Sequence, residues 1–422
     1  MKNKTTNIRR SEIVLFIISI LIFCSIIMGE DVANPAFIQN VVAATASPSA
    51  GPTAIPNITP TASPNVGMVT NNAQEDLWFY YQQLNGTEKT IYEGLLKAVS
   101  EGKQKCSLKN IEKKGHNKTI KKVISAFVND HPEYYWLNGG GSTQYSDTSG
   151  NTIDTFKIEL TAYAFGDNKK STTKKMQKIQ EKVDSIIADA NTYTNVYDKI
   201  TYVHDYLIQN IEYDHDRLKE TEKATYSPKN DYIYTVYGAL VEGKCVCAGY
   251  AKAFQLIMTN MGIPCGYITG KAGEPLDGHS WNIVELDGEY YYVDVTWDDM
   301  DMKEYPKETS HKYFFITTKQ LTTTHTIDKS VFNIPKCTSK KYNYYKQKGY
   351  LLDVYDFKSI DKIFKLQRGE GIIDVQFSKK KEYNEAVEEL FKKDKVFQLK
   401  AIKGKSMSYM TNDDFLLISL LL

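Results

Sequence analysis

What the sequence lacks narrows its function before any motif is considered. The net charge is only +1, so there is no domain-scale basic excess with which to bind nucleic acid. The sequence has no Cys-x-x-Cys pair and no His-x-x-x-His pair at zinc spacing, which argues against a zinc site and against a thioredoxin-like redox couple. The chain is 42% hydrophobic with 30 tyrosines, as expected of a folded protein, and its 422 residues suffice for two or three domains.

The N-terminus predicts export. A basic leader over residues 1–10 precedes an apolar stretch at 13–28, and residues 1–30 are interpreted as a signal peptide or an N-terminal membrane anchor. Prolines then recur every four residues between 48 and 64 among Ala, Thr and Ser, which predicts an extended linker over 31–69. We therefore expect an extracellular or cell-surface protein that contacts the membrane only through its N-terminal segment.

Hydrophobic periodicity predicts alternating helices and strands after the linker, in an α+β arrangement. Three folded units follow from it: an N-terminal α+β domain (70–168), a catalytic core (169–330) and a C-terminal α/β domain (331–422). Helices are expected at 77–99, 120–128, 176–187, 196–211 and 383–391. Strands are expected at 152–165, 371–377, 396–402 and 415–422, with a glycine turn at 139–141.

The segment GKCVCAGYAKAF, residues 243–254, holds two cysteines in different settings. Cys247 opens a helical pattern whose apolar face continues through Ala251 and Phe254. In the first turn of a helix, the dipole and the unpaired amide groups favour a thiolate. Cys245 lies on the preceding loop and lacks that setting, so Cys247 is the candidate nucleophile.

A base and an acid follow in GHSWNIVELDGEYYYVDVTWDD, residues 278–299. Asp287-Gly288, between two β-rich runs, predicts a two-residue type I′ hairpin. In that register Asp294 lies opposite Trp281, and His279 is on the same face, one pleat along. Because a slip of one residue would put imidazole and carboxylate on opposite faces, the register predicts a His279–Asp294 contact.

Together these residues supply the parts of nucleophilic acyl transfer: Cys247 as nucleophile, His279 as base and Asp294 as the orienting acid. The Cys247 amide can donate a hydrogen bond to the oxyanion, because an N-terminal helix amide has no intrahelical partner. The lower-ranked candidates for a second oxyanion donor or a substrate contact are Tyr213, Tyr237 and Trp281. Aromatic residues at such positions more commonly pack in a core.

In this order, VCAGYAKAF, GHSWN and YYYVDVTWDD resemble the core of the transglutaminase-like superfamily, in its bacterial, exported members. The likeness covers about residues 200–320. It implies a papain-like α+β fold, in which the helix bearing the nucleophilic cysteine packs on an antiparallel sheet, with small flanking α/β domains. It also assigns Cys247, His279 and Asp294 as the catalytic triad. Cys245 departs from the small residue typical of the family, a departure that would allow redox capping of Cys247.

The resemblance further implies a reaction through a thioester. The acyl donor would be a glutamine carboxamide of an extracellular protein or peptide, with cell-wall association as an option, and the acceptor an amine or water. No metal or organic cofactor is implied. Two alternatives stay open: a cysteine protease or amidase with the same triad, and a non-catalytic surface-binding module.

Several other polar residues and cysteines are assigned no functional role. Asp298 and Asp299 are interpreted as a turn rather than a cation site, and no partner is predicted for His311 or His325. Cys24 lies in the N-terminal segment. The other cysteines form two disulfides in three connectivities, or stay reduced, and the sequence does not choose among these options for Cys106, Cys245, Cys265 and Cys337.

Overall fold

The computed structural model describes residues 75–422 apart from 110, 113–115, 148–151, 303–304, 368 and 370. The predicted signal or anchor, the proline-rich linker and Cys24 lie outside the described residues. Within the described ranges, no helix combines the length and the apolar character needed to cross a membrane.

The N-terminal half of the described chain is richer in helix than the C-terminal half. In chain order they are α1 (Gly86–Ser100), α2 (His116–Asp130), α3 (Lys169–Ala190), α4 (Val196–Asn210), α5 (His215–Thr221), α6 (Cys247–Asn260), α7 (Val295–Asp298), α8 (Thr318–Leu321), α9 (Tyr344–Gln347), α10 (Phe357–Leu366) and α11 (Lys380–Val387). Short 3-10 turns lie at Tyr81–Gln83, Lys395–Gln398 and Lys400–Ile402, and π-helical turns at Gly238–Glu242 and Glu388–Lys392.

Most strands pair antiparallel. They are β1 (Lys105–Leu108), β2 (Ile111–Glu112), β3 (Leu137–Asp147), β4 (Thr152–Ala162), β5 (Glu212–Tyr213), β6 (Lys244–Cys245), β7 (Cys265–Ala272), β8 (Asp277–Leu286), β9 (Glu289–Val293), β10 (Asp299–Met302), β11 (Tyr305–Thr309), β12 (Phe314–Ile316), β13 (His325–Ile327), β14 (Leu351–Leu352), β15 (Ile372–Phe377), β16 (Ser408–Asn412) and β17 (Leu417–Leu421). In the N-terminal sheet, β4 pairs with β1, β2 and β3. A separate C-terminal sheet has the order β14-β15-β17-β16.

The middle of the chain folds as a five-stranded sheet with the order β12-β9-β8-β7-β13, all antiparallel, with α6 packed against it. The Asn282 side chain of β8 donates to the backbone oxygen of Ala251 in α6 at 2.9 Å. Helix and strand therefore lie side by side, with Cys247 and His279 at the same end. This confirms the expected fold class, a cysteine-bearing helix on an antiparallel sheet.

The predicted hairpin is present in the predicted register. Leu286 pairs with Glu289 and the ladder continues to Asn282 opposite Val293. Asp287 and Gly288 have positive φ angles of 54° and 74°, as a type I′ turn requires.

Three local predictions of secondary structure were wrong. In each case another interaction outweighed the local sequence pattern. The helix expected from residue 77 begins at Gly86, because Asn85 and Glu88 form a reciprocal capping box. The glycines at 139–141 lie inside β3, where a register shift between Leu137 and Gly141 accommodates them before regular pairing with β4 continues.

The third error concerns residues 396–402, which form 3-10 turns rather than a strand. Val396, Leu399 and Ile402 are buried at a spacing of three residues, the period of a 3-10 helix. The neighbouring prediction was confirmed: β17 is a strand with every residue buried.

Buried apolar residues form three large clusters. One joins α3, α4 and α6 to the helix-facing side of the central sheet. A second joins the N-terminal elements to the opposite face of that sheet and extends to Leu417. The third lies within the C-terminal part, from Ile360 to Leu420. The domain boundaries at 168 and 330 stay predictions.

The central sheet is strongly curled. Asp294, which directly follows β9, lies 3.0 Å from His325 of β13, although β8 and β7 separate these strands in the sheet. In a flat sheet three strand spacings would hold them about 14 Å apart. Gly270 of β7 permits the curl, because a Cβ there would overlap the Thr326 carbonyl and the Trp281 ring.

We predict that Gly270→Ala lowers the free energy of unfolding by about 1–3 kcal/mol, because the added methyl must push apart a backbone and a buried ring. Urea denaturation measures the change. Gly86→Ala is the matched control, since a Cβ at Gly86 meets no atom within 4 Å. Equal losses in the two variants would contradict the role given to Gly270.

Candidate active site

Cys247 is the first residue of α6, as predicted. The residue before it, Val246, is extended, donates its N–H to the Ile233 carbonyl at 2.9 Å, and offers no side chain to cap the helix. The thiol therefore lies at the positive end of the helix dipole, beside amide groups that have no intrahelical acceptor.

His279 and Asp294 meet as the register predicted. His279 Nε2 lies 2.6 Å from Asp294 Oδ2. Asp294 follows the last residue of β9 and also caps α7, where its Oδ1 accepts the Trp297 N–H at 3.1 Å. The carboxylate is thus held on both oxygens, so that its direction toward the imidazole is set by the backbone.

The third residue of the site is Cys247. Its thiol interacts with the His279 ring and contributes to raising the pKa of that ring. Because Nε2 is engaged by Asp294, Nδ1 is the nitrogen left for sulfur. Burial alone would lower the pKa of His279, but Asp294 and Cys247 outweigh it and raise that pKa well above 6.5. The ring is therefore held as an imidazolium at neutral pH.

Sequence reasoning missed a fourth residue, His325. Its Nε2 lies 3.0 Å from the same Asp294 Oδ2 that His279 contacts, and its Nδ1 lies 2.8 Å from Thr324 Oγ1. Burial lowers the pKa of His325 despite the Asp294 carboxylate, so its neutral ring donates Nε2–H to the acid. The contact depends on sheet curl across four strands, for which the sequence carries no local signal.

A second buried cluster lies behind α7. His204 of α4 has Nδ1 2.9 Å from Asp205 Oδ1 and Nε2 3.3 Å from Asp298 Oδ2. His311 Nε2 also lies 2.8 Å from Asp205 Oδ1. Both ring nitrogens of His204 face carboxylates, so the ring is an imidazolium between two acids.

This cluster corrects the interpretation of the paired acids as a turn. Asp298 is fully buried on His204, and its Oδ1 also accepts the Tyr313 N–H at 2.8 Å. Asp299 is buried and accepts the Tyr250 hydroxyl at 2.6 Å. His311, for which no partner was predicted, has one in Asp205.

Two sets of side chains bring their donor atoms within 4.8 Å of one another, close enough to share a metal ion: His279, Asp294 and His325, and His204, Asp205 and His311. In both sets the short separations are hydrogen bonds between imidazole and carboxylate. These contacts suit proton handling and charge compensation without further ligands.

The other predicted site residues differ in their distance from the nucleophile. The buried Tyr213 lies beside Cys245, with which it pairs between β5 and β6. The Tyr237 ring packs instead on Tyr135 and Tyr232. Trp281 stacks next to His279, with ring centroids 5.8 Å apart, and faces the second apolar cluster.

All five described cysteines are free, buried thiols. Burial raises the pKa of Cys245 well above 9, and the neighbouring Cys247 adds to that effect. At neutral pH Cys245 is therefore a neutral thiol. The two disulfides considered for an exported protein are not formed in this structure.

The triad is enclosed. Cys247 is 0% exposed, His279 3% and Asp294 1%. The segment around Tyr234 crosses the first half of α6: Lys252 donates to the Tyr234 carbonyl at 3.1 Å, and Tyr234 packs on Ala248 and Ala251. These contacts lie over the part of α6 that follows the thiol.

Residues 174–324 match the family model of the transglutaminase-like domain. The mouse and human kyphoscoliosis peptidases are each 26% identical to this chain over 129 residues, which are 28% of this chain and 18% of theirs. The chain thus matches less than a fifth of the length of these curated relatives.

Solved structures resemble the chain more weakly. The crystal structure of a TGase has a TM-score of 0.28 at 15% identity, covering 47% of this chain and 52% of that one. The periplasmic domain of TgpA from Pseudomonas aeruginosa has a TM-score of 0.20 at 14% identity, covering 37% of this chain and 62% of that one. At these scores the similarity carries no functional argument.

The buried His204 imidazolium predicts a pH dependence of stability. Burial would lower its pKa, but the hydrogen bonds with Asp205 and Asp298 raise it from 6.5 to about 9. Its contribution is therefore present in full below about pH 6.5 and lost as the pH rises through about 9. The loss is on the order of 3 kcal/mol.

The measurement is the free energy of unfolding from urea titrations between pH 6 and 10. Wild type is expected to lose stability over this range by more than His204→Gln, which has no proton to lose at that position. Parallel curves for the two proteins would show that His204 is neutral in the fold.

Proposed function

Because residues 174–324 form a transglutaminase-like domain, we propose that this chain is an exported, cysteine-dependent acyltransferase that acts on glutamine carboxamides through a thioester. Cys247 is the nucleophile, His279 the proton carrier and Asp294 the acid that orients His279.

One observation carries the proposal: the His279 imidazole is hydrogen-bonded to the Asp294 carboxylate at 2.6 Å and also interacts with the Cys247 thiol. The three residues come from different parts of the fold, namely the start of α6, the start of β8 and the position directly after β9. Structural histidines need one acceptor to satisfy a ring N–H, whereas this ring joins a nucleophile to an acid at the end of a helix dipole. That combination is the geometry of a primed nucleophile.

In the first half-reaction the Cys247 thiolate attacks the carboxamide carbon. A sulfur–carbon bond forms, and the carbonyl electron pair moves to oxygen. The tetrahedral adduct then collapses, expelling ammonia, which takes its proton from the His279 imidazolium. The product is a thioester on Cys247, with His279 neutral and still hydrogen-bonded to Asp294.

In the second half-reaction the neutral His279 accepts a proton from the attacking group. An amine gives an isopeptide bond, and water gives a carboxylic acid. Either collapse returns the electron pair to sulfur and restores the thiolate–imidazolium pair. The enclosure of the site supports transfer, because burial of the sulfur restricts the access of water to a thioester there.

The proposed substrate class and cellular location are inferred from the sequence and not from the geometry of the site. The basic and apolar N-terminal segment supports export, and with it an extracellular protein or peptide as acyl donor. Hydrolysis of a peptide or amide bond is the alternative reaction, and the curated relatives named as peptidases favour it.

We predict that wild type incorporates a tagged primary amine into a glutamine-containing protein with release of ammonia, and that Cys247→Ala abolishes both. Incorporation is followed by mass spectrometry and ammonia by a coupled assay. New peptide termini without incorporation would instead identify a protease.

Cys245 serves as an internal control for the reactivity of Cys247. Both thiols are fully buried and lie two residues apart, but burial and the neighbouring Cys247 raise the pKa of Cys245. Iodoacetamide is expected to label Cys247 first. Equal labelling, together with a silent Cys247→Ala, would favour the non-catalytic binding module.

Asp294→Asn tests the acid. The amide retains an oxygen to cap α7 but removes the charge that raises the pKa of His279, so the imidazolium becomes less stable. The rate of Cys247 alkylation at neutral pH is expected to fall, and turnover to fall about 100-fold or more. An unchanged alkylation rate would show that Asp294 does not act on the thiol–imidazole pair.

A further inference from the structure

Lys252 is a partly buried lysine with no carboxylate partner among the described residues. It lies in the first half of α6. Two other partly buried lysines each pair with a carboxylate at 2.6 Å, Lys122 with Glu88 and Lys175 with Asp167. A charge withdrawn from water costs free energy unless an opposite charge compensates it. The Lys252 ammonium therefore calls for a partner that the described fold does not supply.

The Lys252 ammonium makes one hydrogen bond within the described part of the chain. Its Nζ donates to the Tyr234 carbonyl at 3.1 Å and lies 5.5 Å from the centroid of the Tyr267 ring. A carbonyl and a ring face carry only partial negative charge, so neither neutralises a cation. Because an ammonium has three N–H donors, two donors and a full positive charge are available to a ligand.

The groups that hold this ammonium also border the nucleophile. Tyr234 and Tyr267 pack with Ala248 and Ala251 in one small apolar cluster. Ala248 directly follows Cys247 in α6. The cluster therefore joins the surroundings of Lys252 to the first turn of the helix, where the sulfur lies.

The same surroundings reach the strand that carries the base. The Tyr267 hydroxyl lies 2.8 Å from Ser280 Oγ, and Ser280 directly follows His279 on β8. Burial lowers the pKa of Lys252 to about 8, and a Cys247 thiolate acts in the opposite direction. At neutral pH most of the Lys252 population is therefore charged, and that charge acts on the sulfur.

A carboxylate is the ligand that fits these donors. It supplies the missing negative charge and accepts the two available N–H groups, and charge-assisted hydrogen bonds are about twice as strong as neutral ones. Proteins and peptides, the proposed acyl donors, carry carboxylates on aspartate and glutamate side chains and at the C-terminus. The same positive charge disfavours a substrate with lysine or arginine at that position.

We propose that Lys252 anchors a carboxylate-binding subsite beside Cys247, and that the preferred acyl donor is a glutamine with an acidic group next to it. The inference rests on the proposed acyl-transfer function and names its substrate class. The substrate carboxylate accepts the two available N–H donors of Lys252 while the carboxamide carbon meets the sulfur. Its source is either an acidic side chain beside the glutamine or the C-terminal carboxylate of the glutamine itself.

Two alkylating reagents test the subsite without a known substrate. Iodoacetate and iodoacetamide react with the same sulfur by the same displacement, and only iodoacetate carries a carboxylate. Both rates are measured on the full-length protein at pH 7 as Cys247-dependent labelling, with Cys247→Ala as the blank. The ratio of the two rates isolates recognition of the anion, because an effect of Lys252 on the reactivity of the thiol changes both rates alike.

Lys252→Met keeps the apolar stem and removes the charge. It is expected to lower the ratio of the iodoacetate rate to the iodoacetamide rate by about fivefold, the effect of one nearby unit charge in water. Its thermal midpoint is expected to stay equal or rise, because the charge it removes has no carboxylate partner in the described fold. Lys252→Arg is expected to retain most of the ratio. Lys244→Met is the matched control and is expected to leave the ratio unchanged, since Lys244 precedes α6 but pairs with Glu212.

Two pairs of peptides identify the source of the carboxylate. Wild type is expected to transfer a tagged amine to N-acetyl-Gln-Asp-amide faster than to N-acetyl-Gln-Asn-amide if the group is a neighbouring side chain. It is expected to prefer N-acetylglutamine to N-acetylglutamine amide if the group is the C-terminal carboxylate. Lys252→Met is expected to remove whichever preference is present, as measured by mass spectrometry.

The other outcomes overturn the inference. An unchanged reagent ratio in Lys252→Met would exclude the subsite, and an equal fall in both rates would mean that Lys252 stabilises the thiolate instead. Equal transfer to the acidic and neutral peptides would exclude the substrate class. A ratio that depends on Lys252, without amine transfer to any peptide, would support the subsite and overturn the transferase function. A wild type in which Cys247 reacts with neither reagent would overturn both.

Discussion

The Asp294 carboxylate is the constraint on which the rest of the site depends. It is 1% exposed, and its two oxygens accept from His279, His325 and the Trp297 amide. A carboxylate removed from water costs several kcal/mol unless hydrogen bonds and opposite charge compensate it. The compensating donors lie on β8, on β13 and in α7, so the fold must bring three elements to one point. The curl of the sheet and the bare backbone of Gly270 follow from that requirement.

The two acids of the VDVTWDD motif support each other through a short helix. Asp294 caps α7 at its start, and Asp298, its last residue, is paired with His204 of α4. Because both ends of α7 are held by buried charge, Asp294 has little freedom to turn away from His279. A rigid acid fixes the imidazole, and a fixed imidazole fixes the line of approach to the sulfur. The second cluster thus restrains the end of α7 opposite Asp294.

Enclosure has opposing effects at this site. Under the proposed function it would restrict hydrolysis of a thioester, but it would also keep substrate from the sulfur. The Tyr234 segment crosses the first half of α6 through one backbone acceptor and a small apolar contact.

Local sequence was sufficient for the features that repeat along a single element. The helix that begins at Cys247, the type I′ turn at Asp287-Gly288 and the facing of His279 and Asp294 all follow from spacing of a few residues, since side-chain direction has a fixed period in helices and hairpins. The errors at 77–85, 139–141 and 396–402 arose where capping or a distant strand outweighed local periodicity. The contacts of Asp294 with His325 and of Asp298 with His204 join residues 31 and 94 positions apart. Only the tertiary structure decided those contacts, because they depend on how far a sheet curls and where a helix packs, and no periodicity along the chain encodes either.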